Sequence, residues 1–238
     1  MMNECDGRVC PMKPGLRHVR EELLAHLPFS IFSTVGGMML VAILTFIGQP
    51  FYGEALPGAF RELFHIFHPI HMLFSATATT AMFWQYERRI IKALIVGLAG
   101  ATLVCGASDI LIPHAGGLML GVKMHFHVCI IEHPGLVLPF AAVGVVTGFL
   151  ASGHIVRATV FSHAVHVLIS SSASLLYLVS FGLTDWIHNA GWVFVFVVLA
   201  VMVPCCFSDI VFPLLVVTKE GQGRPTPHHH HGREAGEP

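Results

Sequence analysis

Residues 64–84, FHIFHPIHMLFSATATTAMFW, decide how the rest of the chain is read. The stretch is apolar enough to cross a bilayer, yet it carries His65, His68 and His71 at three-residue spacing, followed by Ser75. On a helix, His68, His71 and Ser75 fall within one narrow face. Imidazoles in a membrane segment are rare and mark a metal, a haem or a proton path. The plain alternative is a set of histidines satisfied by neighbouring carbonyls at the membrane boundary.

A second copy weighs against that alternative. Residues 163–175, HAVHVLISSSASL, align without a gap to 68–80, HPIHMLFSATATT, so that His163, His166 and Ser170 match His68, His71 and Ser75. Downstream, CGASDILIP (105–113) matches CCFSDIVFP (205–213), which pairs Cys105 with Cys205, Ser108 with Ser208, Asp109 with Asp209 and Pro113 with Pro213. Upstream, LPF at 27–29 recurs at 138–140, each time opening an apolar run. The sequence reads as an internal duplication that keeps its polar residues inside apolar segments.

Composition sets the class. The 238 residues are 54% hydrophobic and 11% charged, and mean hydropathy is +0.71, far from a soluble domain. Six apolar stretches, near 27–47, 64–84, 90–112, 129–151, 158–181 and 191–217, are each long enough for a ~30 Å hydrocarbon core. The expected fold is an all-α integral membrane protein with six transmembrane helices. A net charge of −1 gives no footprint for a nucleic-acid partner. The first apolar run lacks a short core with a small-residue cleavage site and is expected to be retained as a helix.

Basic residues orient the chain. Arg8, Lys13, Arg17, Arg20, Arg88, Arg89, Lys92, Arg157, Lys219, Arg224 and Arg233 lie on one side of the six spans, and only Arg61 and Lys123 lie on the other. The positive-inside rule then places both termini in the cytoplasm of a multi-pass protein of the inner (plasma) membrane. Three spans per copy force the two halves to enter in opposite directions, giving a 3+3 inverted-topology repeat, the plan of many secondary transporters. The expected units are a cytoplasmic arm (1–22), a first repeat (23–118), a second repeat (119–218) and a disordered His-containing tail (219–238). Residues 228–231 are four consecutive histidines, a native low-affinity metal collector or a residual tag. Cys5 and Cys10 in the arm lack CxxC spacing and read as reduced thiols.

Duplication and topology together predict two clusters near opposite faces. The outer one is His68, His71 and Asp109, with His65, His114, Glu132 and His133 in reach. The inner one is His163, His166 and Asp209, with Glu22 and His26 in reach. Pro69 is expected to start or kink the helix at His68, and Pro113 to free a carbonyl near Asp109. In the loop 116–135, His125 and His127 share a face if extended. Imidazole with carboxylate suits a borderline divalent ion such as zinc, nickel, cobalt, manganese or iron. Ser75, Ser108, Ser170, Ser208, Cys105 and Cys205 are then supporting groups. A lone Asp in hydrocarbon neutralises by taking a proton, whereas a bound cation holds it charged. The first expectation is therefore a proton-coupled transporter of a divalent transition metal, with metal ions, protons and lipid as partners and a homo-oligomer compatible with the sequence. The alternatives are a membrane His-cluster metalloenzyme and a bis-His haem b carrier. The absence of HExxH, GxSxG and GxxxxGK[ST] removes the commonest protease, hydrolase and P-loop readings.

Overall fold

The computed structural model describes residues 16–151 and 159–206; the side chains of residues 16–23, 25, 159–163 and 205–206 lie outside the described set. All regular structure among the described residues is helical. The elements are α1 (Leu16–Tyr52), a 3-10 turn (Gly53–Ala55), α2 (Leu56–Tyr86) and α3 (Ile90–Gly106). A π-helical turn (Ala107–Leu111), α4 (Ile112–Met119), α5 (Cys129–Glu132), α6 (Pro134–Ala151), α7 (Thr159–Ser180) and α8 (Ala190–Cys206) complete them. Three stretches, His26–Tyr86, Ile90–Met119 and Pro134–Ala151, are long and apolar enough to cross a membrane, and Ala164–Ser180 and Ala190–Pro204 are shorter apolar helices. The first of these is broken at the 3-10 turn, where Gly53 takes φ +52, a backbone angle open to glycine at little cost.

The bundle is turned out relative to a water-soluble one. Phe46 (84%), Phe51 (82%) and Leu150 (75%) point outward, while His68, His71, Asp109, His166, Ser170, Ser171, Ser172 and Ser174 are buried. An apolar exterior of this size around a polar interior is stable against lipid and a liability in water.

Helix α2 is the centre, packed against α3, α6 and α7, while α1 packs on α7 and α8. Close approach explains the α2–α6 seam. A Cβ at Gly144 would run into the Leu73 carbonyl, and one at Gly148 would lie 2.8 Å from the Thr77 carbonyl. Gly144 and Gly148, four apart, give the small-residue face that lets two helix backbones touch in a membrane. Thr77 Oγ1 then reaches Thr147 Oγ1 at 2.7 Å across the seam.

Three local expectations are corrected. Helix α2 runs unbroken through Pro69, because neighbours on three sides hold it and a membrane bundle tolerates an internal proline. The first helix begins at Leu16, inside the segment expected to be a polar arm. The fourth long helix begins at Pro134, not near 129, and Cys129–Glu132 forms a separate turn before it. Pro134 at the first helical position fits that start, since no N–H is needed there.

Candidate functional site

The buried polar group beside α2 is centred on Asp109 of the π turn. Its Oδ2 accepts from His68 Nδ1 (2.9 Å) and from His71 Nδ1 (2.7 Å). Its Oδ1 accepts from Ser108 Oγ (2.8 Å) and from Ser170 Oγ of α7 (3.3 Å). Four donors thus converge on a side chain that is acceptor-only when ionised. Asp109 and His71 are 0% exposed and His68 is 2% exposed, so no water competes for these bonds.

The π turn explains how Asp109 is presented. Pro113 has no N–H and its ring crowds the carbonyl four residues back, which is that of Asp109. A wider turn relieves the clash: the Ile112 N–H bonds the Ala107 carbonyl, five residues back. In that pattern the Ser108 carbonyl would need a donor at Pro113. Ser174 Oγ of α7 reaches it instead at 3.0 Å, sharing its hydrogen with the Ser170 carbonyl at 2.9 Å. Pro113 therefore re-aims Asp109 without ending the helix.

His166, expected in the inner group, lies against the outer one. Its ring is 4.9 Å from that of His71, so this one member of the expected inner group packs beside the outer group, between α2 and α7. Ser75 is buried, and its hydroxyl has no hydrogen-bond partner among the described residues. Cys105 is buried, and its carbonyl faces Ser108 Oγ at 3.4 Å. His26 accepts from Ser30 Oγ through its backbone carbonyl (3.3 Å). His114 Nδ1 lies 3.5 Å from the Tyr177 hydroxyl, which also accepts from the His127 N–H at 3.2 Å. The side chains of Glu22, His163 and Cys205, and residues Ser208 and Asp209, lie outside the described set, as do the arm cysteines and residues 228–231.

One turn above His68, α2 presents a second group. His65 Nε2 is 3.1 Å from His127 Nε2, and the His133 ring lies 4.9 Å from that of His65 and 5.6 Å from that of His127. One ring nitrogen from each of these three residues falls within 4.8 Å of the other two. Glu132 Oε2 lies 2.8 Å from His127 Nδ1, and Glu132 Oε1 accepts from the Val128 N–H at 3.2 Å. The backbone bond from Val128, with the imidazole of His127, holds the Glu132 carboxyl below its ordinary range. Burial lowers the His127 pKa, and Glu132 opposes that shift without cancelling it. Neutral imidazole is the form that binds a metal.

No family model, curated protein or solved structure matches the chain. The chemistry of the two groups therefore carries the reading. They are separated by Phe64, fully buried, stacked on His68 at 5.3 Å and edge-on to His127 at 6.3 Å.

His127 is the participant missing from the sequence-derived set. Its signal was the alternation in HFH: His125 and His127 both stack on Phe181, at 6.3 Å and 4.8 Å. The expected shared face is therefore present, but only the structure shows that His127 is the buried member.

Proposed function

We propose that the chain is a membrane transporter for a divalent transition-metal cation, coupled to protons. Six membrane passes form a 3+3 inverted repeat, with both termini cytoplasmic in the inner (plasma) membrane. One observation supports this above the rest: successive turns of α2 line up His65, His68 and His71, leading from a half-exposed histidine group to a wholly buried carboxylate. A purely structural role would not need imidazoles at both depths of one apolar helix. The cargo would meet nitrogen ligands first and a carboxylate at the centre, where replacement of the cation by a proton keeps the buried charge balanced.

The packing supports the repeat. His71 and His166 are equivalents in the duplicated sequence, and their rings touch. Ser170, the equivalent of Ser75, bonds Asp109 across the two halves. In the duplicated sequence His163, His166 and Asp209 are the equivalents of His68, His71 and Asp109, and they are the residues proposed for the inner site. A haem carrier is disfavoured, because rings 4.9 Å apart leave no space for a porphyrin between them. A metalloenzyme is the second reading and rests on the three-histidine group alone; it requires bound metal without flux.

Proteoliposomes test the proposal. Zinc or cobalt uptake should move protons in the opposite direction, and Asp109→Asn or Asp209→Asn should abolish that coupled flux while the protein still folds. Wild-type proton and metal movement in both variants would defeat the mechanism.

A further inference from the structure

We infer that His65, His127 and His133 form a distinct three-imidazole site for a borderline divalent ion of the zinc class, in which Glu132 positions His127 and is not itself a ligand. The site stands apart from the Asp109 centre and does not depend on the transport reading.

The ring positions suit one ion. Zinc–nitrogen bonds are about 2.0–2.1 Å, and an imidazole centroid lies roughly 1.1 Å behind its nitrogen, so tetrahedral bond directions put ring centroids about 5.2 Å apart. The three observed separations are 5.2, 4.9 and 5.6 Å. The same geometry sets ligand nitrogens about 3.3 Å apart, and His65 Nε2 and His127 Nε2 are 3.1 Å apart. All three ring separations and the His65–His127 nitrogen separation thus suit a shared ion, with His133 bringing its nitrogen within 4.8 Å of the other two.

Glu132 has a different task. By accepting from His127 Nδ1 at 2.8 Å, it places the hydrogen of the neutral ring on Nδ1 and leaves Nε2 bare toward His65. Metal-binding histidines are held in this way by a carboxylate behind the ring. Without an ion, the His65 Nε2–H donates to that bare nitrogen. Binding moves this hydrogen to His65 Nδ1, so the ring stays neutral and no net proton is released.

Three nitrogens with no carboxylate bound to the ion select zinc, copper, nickel or cobalt over magnesium and calcium, which take oxygen. Cys129 Sγ approaches His127 Nε2 at 3.4 Å but stands outside the group whose ligand atoms converge. His127 is buried, His65 half-buried and His133 exposed, so the group opens to solvent on the His133 side. An ion here would tie α2 to residues 127–133 directly over Phe64, above the buried centre.

Cobalt(II) is the probe, added to full-length protein in micelles, with the tail histidines at 228–231 replaced by alanine in every sample. The parent protein should show the intense visible absorption of tetrahedral cobalt, lost on addition of zinc. In an Asp109→Asn background, which takes away the buried carboxylate, His65→Ala, His127→Ala or His133→Ala should remove that band. Glu132→Gln should keep its shape and weaken binding ~10–100-fold, and Asp109→Asn should leave it intact. X-ray absorption of the zinc form needs no variant and should show three imidazoles at about 2.0 Å. A band that survives His127→Ala in the Asp109→Asn background, or a zinc shell dominated by carboxylate oxygen, overturns the site. A Glu132→Gln affinity equal to the parent's overturns the positioning role. Metal bound here with no flux into vesicles would retire the transport reading and leave this site standing.

Discussion

Two histidine–carboxylate groups sit one helical turn apart on α2, and they use the same chemistry in opposite ways. At Asp109 one carboxylate gathers two imidazoles through their Nδ1 atoms, and nothing in the group is exposed to solvent. At Glu132 one half-exposed carboxylate holds a single imidazole, whose other nitrogen faces two more rings. The first arrangement keeps a charge inside the bundle; the second keeps a lone pair available. Depth decides between them, because a buried carboxylate must have all its lone pairs filled, whereas a solvated one can serve a single neighbour.

The largest expected effect tests that difference directly. Asp109→Ala strands two buried Nδ1–H donors at roughly 1–3 kcal/mol each, so a loss of about 2–6 kcal/mol in metal-free unfolding in micelles is expected. His133→Ala, at an exposed position, should fall within about 0.5 kcal/mol of the parent. Equal losses would mean that burial does not separate the two groups.

Gly144→Val should come next. The added carbons run into the Leu73 carbonyl and the Ala76 side chain, beside Ser75 and one turn below His71. Overpacking of this kind costs about 1–3 kcal/mol. It should depress flux while leaving the cobalt band of the outer group in place, and loss of both together would show the two groups to be rigidly coupled.

The smallest effect extends the comparison to full exposure. His188 Nδ1 and Asp185 Oδ1 lie 2.6 Å apart on the surface, and the hydrogen bond from His188 to Asp185 raises the His188 pKa. A raised folded pKa contributes stability that is complete below the ordinary value near 6.5 and is lost as pH rises through the folded value. Asp185→Asn should return the His188 titration, followed by proton NMR, toward 6.5. An unmoved titration would show that carboxylate proximity does not set imidazole behaviour once solvent is present.

Much of this was legible in the sequence. Apolar runs located helices, and duplication singled out His68, His71 and Asp109, which the structure brings within hydrogen-bond distance. The position of His166 beside His71 was not legible, since counting residues from each helix end says nothing of where two helices cross. His127 was hidden for a different reason: residues 122–128 form no helix, so no 3.6-residue period marks which histidine turns inward. Pro69 and Pro113 look alike as breakers. They differ because α2 absorbs Pro69 without a break, while the π turn gives Pro113 a register of its own.

That π turn makes residues five apart into neighbours, and Asp109 and His114 are five apart. Both consequently face α7, one toward Ser170 and the other toward Tyr177, although an ordinary helix would turn them apart. Pro113 and Ser174 are linked through the Ser108 carbonyl. Losing the proline ring would give the Ser108 carbonyl a backbone donor and leave the hydroxyl to the Ser170 carbonyl, while losing the hydroxyl alone strands the Ser108 carbonyl. An insertion or deletion between Ala107 and Leu111 would change which side of residues 112–119 meets α7. In this window the number of residues is therefore more tightly constrained than their identity.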